Sequence, residues 1–342
     1  MTVIQQETAE DWTMFNGDCC EVVKDLPNDS IDFGIHSPPF SNLYIYSDSE
    51  ADMGNCADNE EFFEHYKFLI PELLRVTVPG RCCAVHCKDL PKYANRDGTT
   101  GLIDFPGMII RAFEECGWSF HARITIWKCP VTERERTNNN GLLHKTVKRD
   151  RSQLRMGMAD YLIVFRKPPS GTLMSEKPVQ NFDRRINADT LELESRPTGF
   201  EKYIGEDEVD PRVSTFHPSP YARTSLSTNE DGSSINIWRR YAEPVWWDIC
   251  QTDVLNGKSA TSEQDERHIC PLQIGLIRRA VQIWSNPGDV VMSPFAGIGS
   301  EGYGSIIEGR KFVGVELKST YYETAIRNLR AAVKKTNESR LF

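Results

Sequence analysis

The feature that most constrains the fold is a pattern of strand, glycine-rich loop, helix and second strand near the end of this 342-residue chain. Residues 290–292 are a short apolar run, residues 293–300 read Ser-Pro-Phe-Ala-Gly-Ile-Gly-Ser, and residues 312–315 are a second apolar run. Two strands joined by a helix lie parallel in one sheet, and the connection is right-handed. The pattern therefore predicts an α/β fold with a doubly wound, mostly parallel sheet, in which ligands bind at the carboxyl ends of the strands.

The glycine loop has the spacing of a nucleotide-binding turn. Gly297, Gly299 and Gly302 follow the G-x-G-x-x-G pattern, and Glu316 ends the next predicted strand. Such glycines let a backbone approach a ligand closely, and a carboxylate at that position accepts hydrogen bonds from ribose hydroxyls. The glycines alone fit a nicotinamide cofactor as well as S-adenosylmethionine. The proline and phenylalanine before them favour S-adenosylmethionine, because they are not part of the dinucleotide pattern and S-adenosylmethionine carries no phosphate.

A second motif, Ser37-Pro38-Pro39-Phe40, follows a predicted strand over residues 31–35. An exocyclic amino group of a nucleic-acid base is a poor nucleophile, because its lone pair is delocalised into the ring. The Ser37 oxygen and the Pro38 carbonyl, held by two stiff prolines, can accept the amino hydrogens and free that lone pair. The ring of Phe40 would stack on a base extruded from the duplex. Alone, the motif fits an ordinary proline turn better; paired with the glycine loop, it predicts four catalytic residues, Ser37, Pro38, Pro39 and Phe40.

The charge of the chain is unevenly distributed. The formal net charge of −9 argues against a large nonspecific clamp on DNA, but a whole-chain average can hide a local patch. Between residues 134 and 155, seven basic residues stand against two acidic ones. This segment predicts a mobile loop, either simply solvated or in contact with phosphates. The predicted DNA-binding residues are Arg134, Arg136, Lys145, Lys148, Arg149 and Arg151.

Ten cysteines raise the question of disulfides or a metal site. No Cys-x-x-Cys pair occurs, and the N-terminal residues are polar and acidic, unlike a secretory signal. In the densest cluster, residues 81–87, a strand would place Cys83 and Cys87 on one face and His86 on the other. We therefore predict a buried strand and no metal. Because the apolar runs are too short to cross a membrane, the expected location is the cytoplasm.

Two further stretches bear on the organisation of the chain. Apolar residues recur at helical spacing over residues 62–74, and Pro71 should kink or interrupt that helix. Residues 170–245 lose regular periodicity and are rich in Pro, Ser, Thr, Asn and charge. The predicted organisation is one domain built from residues 12–168 and 246–335, with an irregular region inserted at 170–245.

Together the two motifs resemble those of the DNA amino-methyltransferase family, which forms N4-methylcytosine or N6-methyladenine. The family's catalytic motif, Asp/Asn/Ser-Pro-Pro-Tyr/Phe, stands here at residues 37–40, and its cofactor motif, Asp-Pro-Phe-x-Gly-x-Gly-Ser/Thr, stands at 293–300. The resemblance extends to residues 16–19 and 267–272. Because the catalytic motif comes first, the chain resembles the circularly permuted β group. That implies a permuted, Rossmann-like sheet with residues 12–168 as its catalytic half, residues 246–335 as its cofactor-binding half and residues 170–245 as the target-recognition region.

The resemblance also implies a set of cofactor-binding residues, with two departures from the family pattern. Ser293 stands where the family usually has Asp, and Cys270 where it often has Lys. Both departures put activity in question, and Ser293 alters a hydrogen bond near the methionine end of the cofactor. The implied cofactor-binding residues are Asp18, Pro271, Ser293, Phe295, Gly297, Gly299, Ser300 and Glu316.

The function implied by the resemblance is S-adenosylmethionine-dependent methylation of double-stranded DNA, by a monomer or homodimer, as in restriction–modification or phage DNA modification. Ser37 narrowly favours cytosine N4 over adenine N6, since adenine members usually carry Asp or Asn. Three alternatives remain open: the same chemistry on RNA or on a protein amide, a nicotinamide-dependent oxidoreductase, and a DNA-binding module without activity. The oxidoreductase leaves residues 37–40 unexplained.

Overall fold

The computed structural model describes residues 3–40, 52–131, 144–154, 156–169, 242–255 and 271–339. The strands in these ranges are β1 (Val3–Thr8), β2 (Trp12–Gly17), β3 (Ile31–His36), β4 (Thr77–Lys88), β5 (Leu90–Lys92), β6 (Gly101–Ile103), β7 (Ser119–Ile126), β8 (Asp160–Arg166), β9 (Val245–Trp246), β10 (Val290–Ser293) and β11 (Lys311–Glu316). The helices are α1 (Cys19–Lys24), α2 (Asn59–Val76), α3 (Ala94–Asp97), α4 (Phe105–Glu115), α5 (His144–Arg149), α6 (Ile274–Trp284), α7 (Ser300–Ile307) and α8 (Ser319–Ser339).

All of these strands except β5 and β6 form one sheet, in the order β1-β2-β11-β10-β3-β4-β8-β7-β9. Strands β2, β11, β10, β3 and β4 pair in parallel, whereas β8 is antiparallel to both β4 and β7. The strands predicted at 31–35, 290–292 and 312–315 all lie in the parallel part. This confirms the predicted α/β class. Because β10 lies beside β3, segments from both ends of the chain build the same sheet.

Helices cover both faces of the sheet, as expected for a doubly wound fold. On one face, α6, α7 and α8 pack in a core that includes Cys82 and Ala84 of β4. On the other face, α1, α2 and α4 pack in a core that includes Cys83 and Cys87. Successive residues of β4 therefore alternate between the two cores. The predicted buried strand at 81–87 is confirmed.

Helix α2 runs through Pro71 without a break, so the predicted interruption is wrong, and the alternative, a kink at Pro71, stays a prediction. Proline removes one main-chain donor and leaves a carbonyl of the preceding turn unpaired. Pro71 lies on the exposed side of the helix, where water can solvate that carbonyl. Leu69, Ile70 and Leu73 are buried on the opposite side, and their packing holds the helix against the sheet.

The basic segment contains a short helix. Helix α5 and the 3-10 turn Arg151–Gln153 occupy part of the predicted mobile loop, so the prediction of a loop is wrong for these residues. Lysine and arginine are good helix formers, and a carboxylate oxygen of Asp150 accepts a hydrogen bond from the N–H of Ser152 at 3.0 Å, which shapes the turn. Residues 132–143, with Arg134 and Arg136, lie outside the described residues.

Residues 170–241, nearly all of the predicted target-recognition region, also lie outside the described residues. The division of the chain into domains therefore stays a prediction. Among the helices of the described ranges, none is both long and apolar enough to cross a membrane.

Candidate active site

The two sequence motifs meet at the carboxyl edge of the parallel strands. Strand β10 pairs with β3 through Val291 with Phe33, so the two strands end side by side. Beyond their ends, the ring centroid of Phe295 lies 5.8 Å from that of His36, the residue just before the Ser-Pro-Pro-Phe turn. The two motifs, more than 250 residues apart in the chain, therefore lie together in the fold. They lie where ligands bind in open α/β sheets.

The glycine loop is tied to the end of β11 by the carboxylate of Glu316. The main-chain N–H of Gly297 donates to Glu316 Oε2 at 2.8 Å, and that of Lys318 donates to Oε1 at 2.9 Å. Gly297 and Gly299 have φ angles of +52° and +86°, in the left-handed region that favours glycine. A Cβ on Gly299 would lie 3.1 Å from the Cα of Ala325, whereas one on Gly297 would meet no described atom within 4 Å. The loop thus leaves room for a ligand beside an oriented carboxylate.

Two buried hydroxyls flank the glycine loop. Ser293 ends β10 and Ser300 begins α7, and their exposed fractions are 0% and 3%. Neither Oγ has a hydrogen-bond partner among the residues that the structure describes. Buried polar atoms are seldom left unpaired. These hydroxyls are therefore available to polar groups of a ligand held in the loop.

Two buried carboxyl groups set the electrostatics of the loop. Burial raises the pKa of Glu316 to about 7, against the opposing effect of its two backbone hydrogen bonds. Burial also raises the pKa of Glu301, on α7, to about 8, and repulsion from Glu316 adds to that shift. At neutral pH the carboxyl of Glu316 is therefore partly ionised and that of Glu301 largely protonated. The oxygens of Glu316 remain able to accept hydrogen bonds from a ligand held in the loop.

Asp18 and Pro271, the other two members of the predicted cofactor set, lie on different elements. Asp18 caps α1, where its Oδ1 accepts a hydrogen bond from the N–H of Cys20 at 2.9 Å. Nearby, Asn16 Nδ2 donates to the carbonyls of Glu316 and of the next residue, at 2.8 and 2.9 Å. These bonds place the start of α1 beside the end of β11. Pro271 is half-buried just before α6. The roles of both residues toward a cofactor stay predictions.

The Ser-Pro-Pro-Phe turn presents a hydroxyl and an aromatic ring. Ser37 Oγ lies 3.3 Å from His86 Nδ1 and 3.4 Å from the His86 carbonyl oxygen. The two prolines that follow are buried and half-buried. Phe40 is half-buried, and its ring meets that of Phe105 edge-on, with the centroids 6.3 Å apart. This contact anchors the Phe40 ring, and the half-buried side chain keeps surface available for stacking.

Sequence reasoning missed three buried residues behind Ser37. His86 Nε2 lies 3.1 Å from Asp160 Oδ2, and Lys128 Nζ lies 2.7 Å from the same oxygen. In the sequence, His86 stood out only as a rejected metal ligand. The signal that could have found it is its place near the end of the strand predicted at 81–87. Parallel strands that end together bring such a residue beside Ser37.

Exposed basic side chains lie on α5 and the turn that follows it. Lys148, Arg149 and Arg151 are all exposed, and Arg151 Nε donates to the Val147 carbonyl at 3.3 Å. Lys145 belongs to α5, but its side chain lies outside the described residues, as do Arg134 and Arg136. Contact of this segment with DNA stays a prediction.

The fold and the site together define a class of protein. A doubly wound sheet carries a glycine loop at its carboxyl edge and, beside that loop, a turn with a hydroxyl and an aromatic ring. These are features of the nucleoside-cofactor-binding class of α/β proteins.

The chain belongs to the DNA methylase family of N6 and N4 methyltransferases, whose family profile matches residues 31–327. It is 28% identical over 160 residues to the DNA adenine methyltransferase YhdJ of Escherichia coli K12, covering 47% of this chain and 44% of that protein. It is 24% identical over 307 residues to the type II methyltransferase M.BamHI of Bacillus amyloliquefaciens, covering 89% of this chain and 54% of that protein. The chain thus spans about half the length of the curated relatives it matches.

A solved structure has the same fold. The DNA modification methylase TTHA0409 of Thermus thermophilus, in complex with S-adenosyl-L-methionine, superposes with a TM-score of 0.60 over 95% of each chain, at 18% identity. At that identity the similarity supports the fold alone.

Proposed function

We propose that this chain transfers a methyl group from S-adenosylmethionine to the exocyclic amino group of a base in double-stranded DNA. The observation that carries the proposal is the contact of Phe295 with His36, because it sets the glycine loop directly beside the Ser-Pro-Pro-Phe turn. Membership of the DNA methylase family supports DNA as the substrate. The carboxyl of Glu316, oriented by the N–H groups of Gly297 and Lys318, supports a cofactor with ribose hydroxyls.

The cofactor would lie along the glycine loop. S-adenosylmethionine, when bound, supplies a methyl group attached to positively charged sulfur. The Glu316 carboxylate, already oriented by two backbone N–H groups, would accept hydrogen bonds from ribose hydroxyls. The buried hydroxyls of Ser293 and Ser300, which no described residue pairs, would contact other polar groups of the same ligand. The proposed set is completed by Phe295, Gly297, Gly299, Asp18 and Pro271.

The target base would lie against the Ser-Pro-Pro-Phe turn. Ser37 Oγ and the carbonyl of Pro38 would accept hydrogen bonds from the amino hydrogens, and Pro39 would hold that carbonyl in place. Phe40 would stack on the base, which must leave the duplex at a cost of a few kcal/mol. A ring that is anchored on one edge by Phe105 can offset part of this cost without first becoming ordered.

The proposed target atom is N4 of cytosine, narrowly preferred to N6 of adenine. The preference comes from Ser37, because a serine opens the motif in cytosine-N4 members more often than in adenine members. Both bases present an amino group to the same acceptors, so the geometry of the turn suits either. We propose that the biological role of this methylation is restriction–modification or phage DNA modification.

Methyl transfer to defined substrates tests this proposal. The protein is incubated with tritiated S-adenosylmethionine and, separately, with unmethylated duplex DNA, RNA and a protein mixture, and the products are counted and digested to nucleosides for mass spectrometry. We expect label in DNA alone, as N4-methylcytosine, with a Ser37→Ala, Phe40→Ala double variant as the inactive control. Label in N6-methyladenine would change the base and keep the enzyme class. Absence of label from every DNA would refute the proposal.

A further inference from the structure

A chain of polar contacts runs from the Ser-Pro-Pro-Phe turn into the sheet. Ser37 Oγ lies 3.3 Å from His86 Nδ1, and His86 Nε2 lies 3.1 Å from Asp160 Oδ2. Lys128 Nζ approaches that oxygen at 2.7 Å, and Lys88 Nζ lies 3.7 Å from Asp160 Oδ1. These contacts join residues that are far apart in the chain but lie close together at the carboxyl ends of the parallel strands.

The sheet register holds these residues together. Strands β3 and β4 pair His36 with Val85, so the next residues, Ser37 and His86, are neighbours. Strands β4 and β8 pair Lys88 with Asp160, which sets the carboxylate at the same edge. The side chains behind the serine are buried, with exposed fractions of 7% for His86, 5% for Asp160 and 6% for Lys128. Their positions are therefore fixed by the fold rather than by solvent.

The protonation states follow from the charges around Asp160. Burial alone would raise the pKa of Asp160, but Lys128, His86 and Lys88 together hold it well below its usual range. An ionised carboxylate can only accept hydrogen bonds. His86 must therefore present an N–H at Nε2 to Asp160, and in the neutral tautomer that does so, the lone pair of Nδ1 faces the Ser37 hydroxyl. In that tautomer the Ser37 O–H can donate to His86 Nδ1 at 3.3 Å, with the His86 carbonyl oxygen at 3.4 Å as its other acceptor.

We propose that Ser37, His86 and Asp160 form a relay that takes up the proton released when the base amino group is methylated; this inference rests on the proposed function. As the amino nitrogen bonds to the methyl carbon, the carbon–sulfur electron pair leaves with the sulfur, which becomes a neutral thioether. One amino proton passes to Ser37 Oγ while the Ser37 hydroxyl proton passes to His86 Nδ1. The N–H electron pair stays on nitrogen, which keeps the product neutral. The imidazolium donates to Asp160 through Nε2 and later returns its Nδ1 proton to water.

The relay explains why a serine can open the catalytic motif. A serine hydroxyl, unlike an aspartate, carries no charge at neutral pH and cannot keep a proton that it accepts. The histidine behind it supplies that capacity, and the carboxylate fixes its tautomer, as in the Ser-His-Asp arrangement of hydrolases. Of the charged groups around this histidine, Asp160 contacts His86 directly, and Lys128 and Lys88 contact Asp160. His86 acts through Ser37 and is therefore a positioning residue with a proton-accepting role.

The test uses His86→Ala with added imidazole. Single-turnover methyl transfer to duplex DNA should fall by about 10²- to 10⁴-fold in the variant, while its Kd for S-adenosylmethionine changes by less than about threefold, because the residue does not touch the cofactor loop. Added imidazole should raise the rate of the variant by at least about tenfold. As the pH is varied, this increase should follow the concentration of neutral imidazole. A purely structural role would give no such pH-dependent rescue. His121→Ala, an exposed histidine on β7, is the matched control and should show neither loss nor rescue.

Each outcome decides between the two proposals. Loss with pH-dependent rescue supports the relay. An unchanged rate, or a loss that imidazole does not restore in a protein whose thermal unfolding matches wild type, overturns the relay while wild-type activity leaves the proposed function standing. If His86→Ala is unfolded, His86→Gln takes its place, because glutamine keeps a similar shape without a titratable ring. A wild-type rate in His86→Gln overturns the relay. A rate at least about tenfold lower, with an unchanged Kd for S-adenosylmethionine, supports the relay. Absence of methylation by wild type overturns the proposed function and the relay with it.

Discussion

The ring of Phe295, in the cofactor loop, lies 5.8 Å from the ring of His36, the residue that leads into the Ser-Pro-Pro-Phe turn. His36 is itself fixed, because its Nε2 lies 2.7 Å from the hydroxyl of Tyr66. Burial lowers the pKa of His36 to about 3, so the ring is neutral at physiological pH and packs as an aromatic group. The ring of Phe295 also lies 6.2 Å from that of Tyr66. Three rings thus join the two halves of the site.

Replacing Phe295 by Ala should therefore loosen the junction between the two motifs. A fully buried Phe→Ala change costs about 3–5 kcal/mol; because Phe295 is only half-buried, we expect a loss of about 2–3 kcal/mol in the free energy of unfolding. Urea titration measures it. Phe120→Ala, which removes a ring 42% exposed on β7, should cost less than about 1 kcal/mol. Equal losses in the two variants would contradict the assigned role.

Glu316→Gln should weaken cofactor binding. The carboxylate accepts hydrogen bonds from Gly297 and Lys318 and is proposed to accept others from ribose hydroxyls, whereas an amide must turn its NH2 toward one of these donors. Losing a hydrogen bond between the ligand and a charged group costs about 1.5–3 kcal/mol, so the Kd for S-adenosylmethionine should rise by about 10- to 100-fold. Calorimetric titration checks this, with Glu323→Gln on the exposed side of α8 as control. A Kd within twofold of wild type would refute the assignment.

The sequence predicted the parallel strands β3, β4, β10 and β11 well because each contains a short apolar run bounded by turn residues. Strand β1 was not predicted, because its side chains are mostly exposed and its sequence, Val-Ile-Gln-Gln-Glu-Thr, shows no apolar pattern. The interruption predicted at Pro71 was wrong because a local sequence rule takes account of the missing N–H donor of proline but not of the core packing that keeps α2 continuous. Local sequence therefore predicts an element best where its own side chains form the core.

Only part of the candidate site could be predicted from the sequence, because local patterns reveal contiguous motifs but not contacts between distant residues. Glycine spacing and the proline turn are contiguous motifs, so the sequence displays them directly. The contacts of His86 join it to Ser37 at a separation of 49 residues and to Asp160 at 74. No local pattern encodes such pairs, since they arise only when the register of β3, β4 and β8 is known. The buried carboxyl of Glu301 was missed because a glutamate in a first helical turn is usually solvated.

Phe40→Ala should lower turnover more than cofactor affinity, because the ring is proposed to stack on the base rather than on the cofactor. Base–aromatic stacking contributes about 1–3 kcal/mol, so kcat/KM for DNA should fall by about 5- to 150-fold. The Kd for S-adenosylmethionine should change less than about threefold. Steady-state kinetics and calorimetry make the comparison, and Phe40→Trp should retain most activity. A change confined to the cofactor Kd would contradict the role.

Removing exposed cations near α5 should reduce the salt dependence of DNA binding. Each phosphate contact contributes about 0.9 to the slope of log K against log salt concentration for duplex DNA. Lys148→Ala with Arg151→Ala should therefore lower that slope by about 2, and weaken binding similarly for all sequences. Fluorescence anisotropy at several salt concentrations measures the slope. Lys334→Ala, on the exposed side of α8, is the control, and the same slope in both proteins would exclude phosphate contact at α5.

The buried carboxyl of Glu301 should make stability depend on pH. Burial raises its pKa from 4.5 to about 8, so the folded protein holds this proton more tightly than the unfolded chain does. The resulting stabilisation is complete below pH 4.5 and is lost as the pH rises toward about 8. Glu301→Gln removes this dependence. Relative to wild type, the variant should gain stability steadily between these two pH values and no further above them.

Urea unfolding of both proteins at several pH values, without cofactor, provides the measurement. Glu316 has the same direction of shift and is present in both proteins, so its own contribution cancels in the difference, which keeps only the repulsion between Glu316 and Glu301. Glu323→Gln replaces an exposed carboxylate of α8 and should give a flat difference curve. A flat curve for Glu301→Gln as well would mean that its carboxyl is solvated or paired with a cation. In that case Glu301 would be ionised at neutral pH, and its carboxyl would not be the buried, protonated group described for the glycine loop.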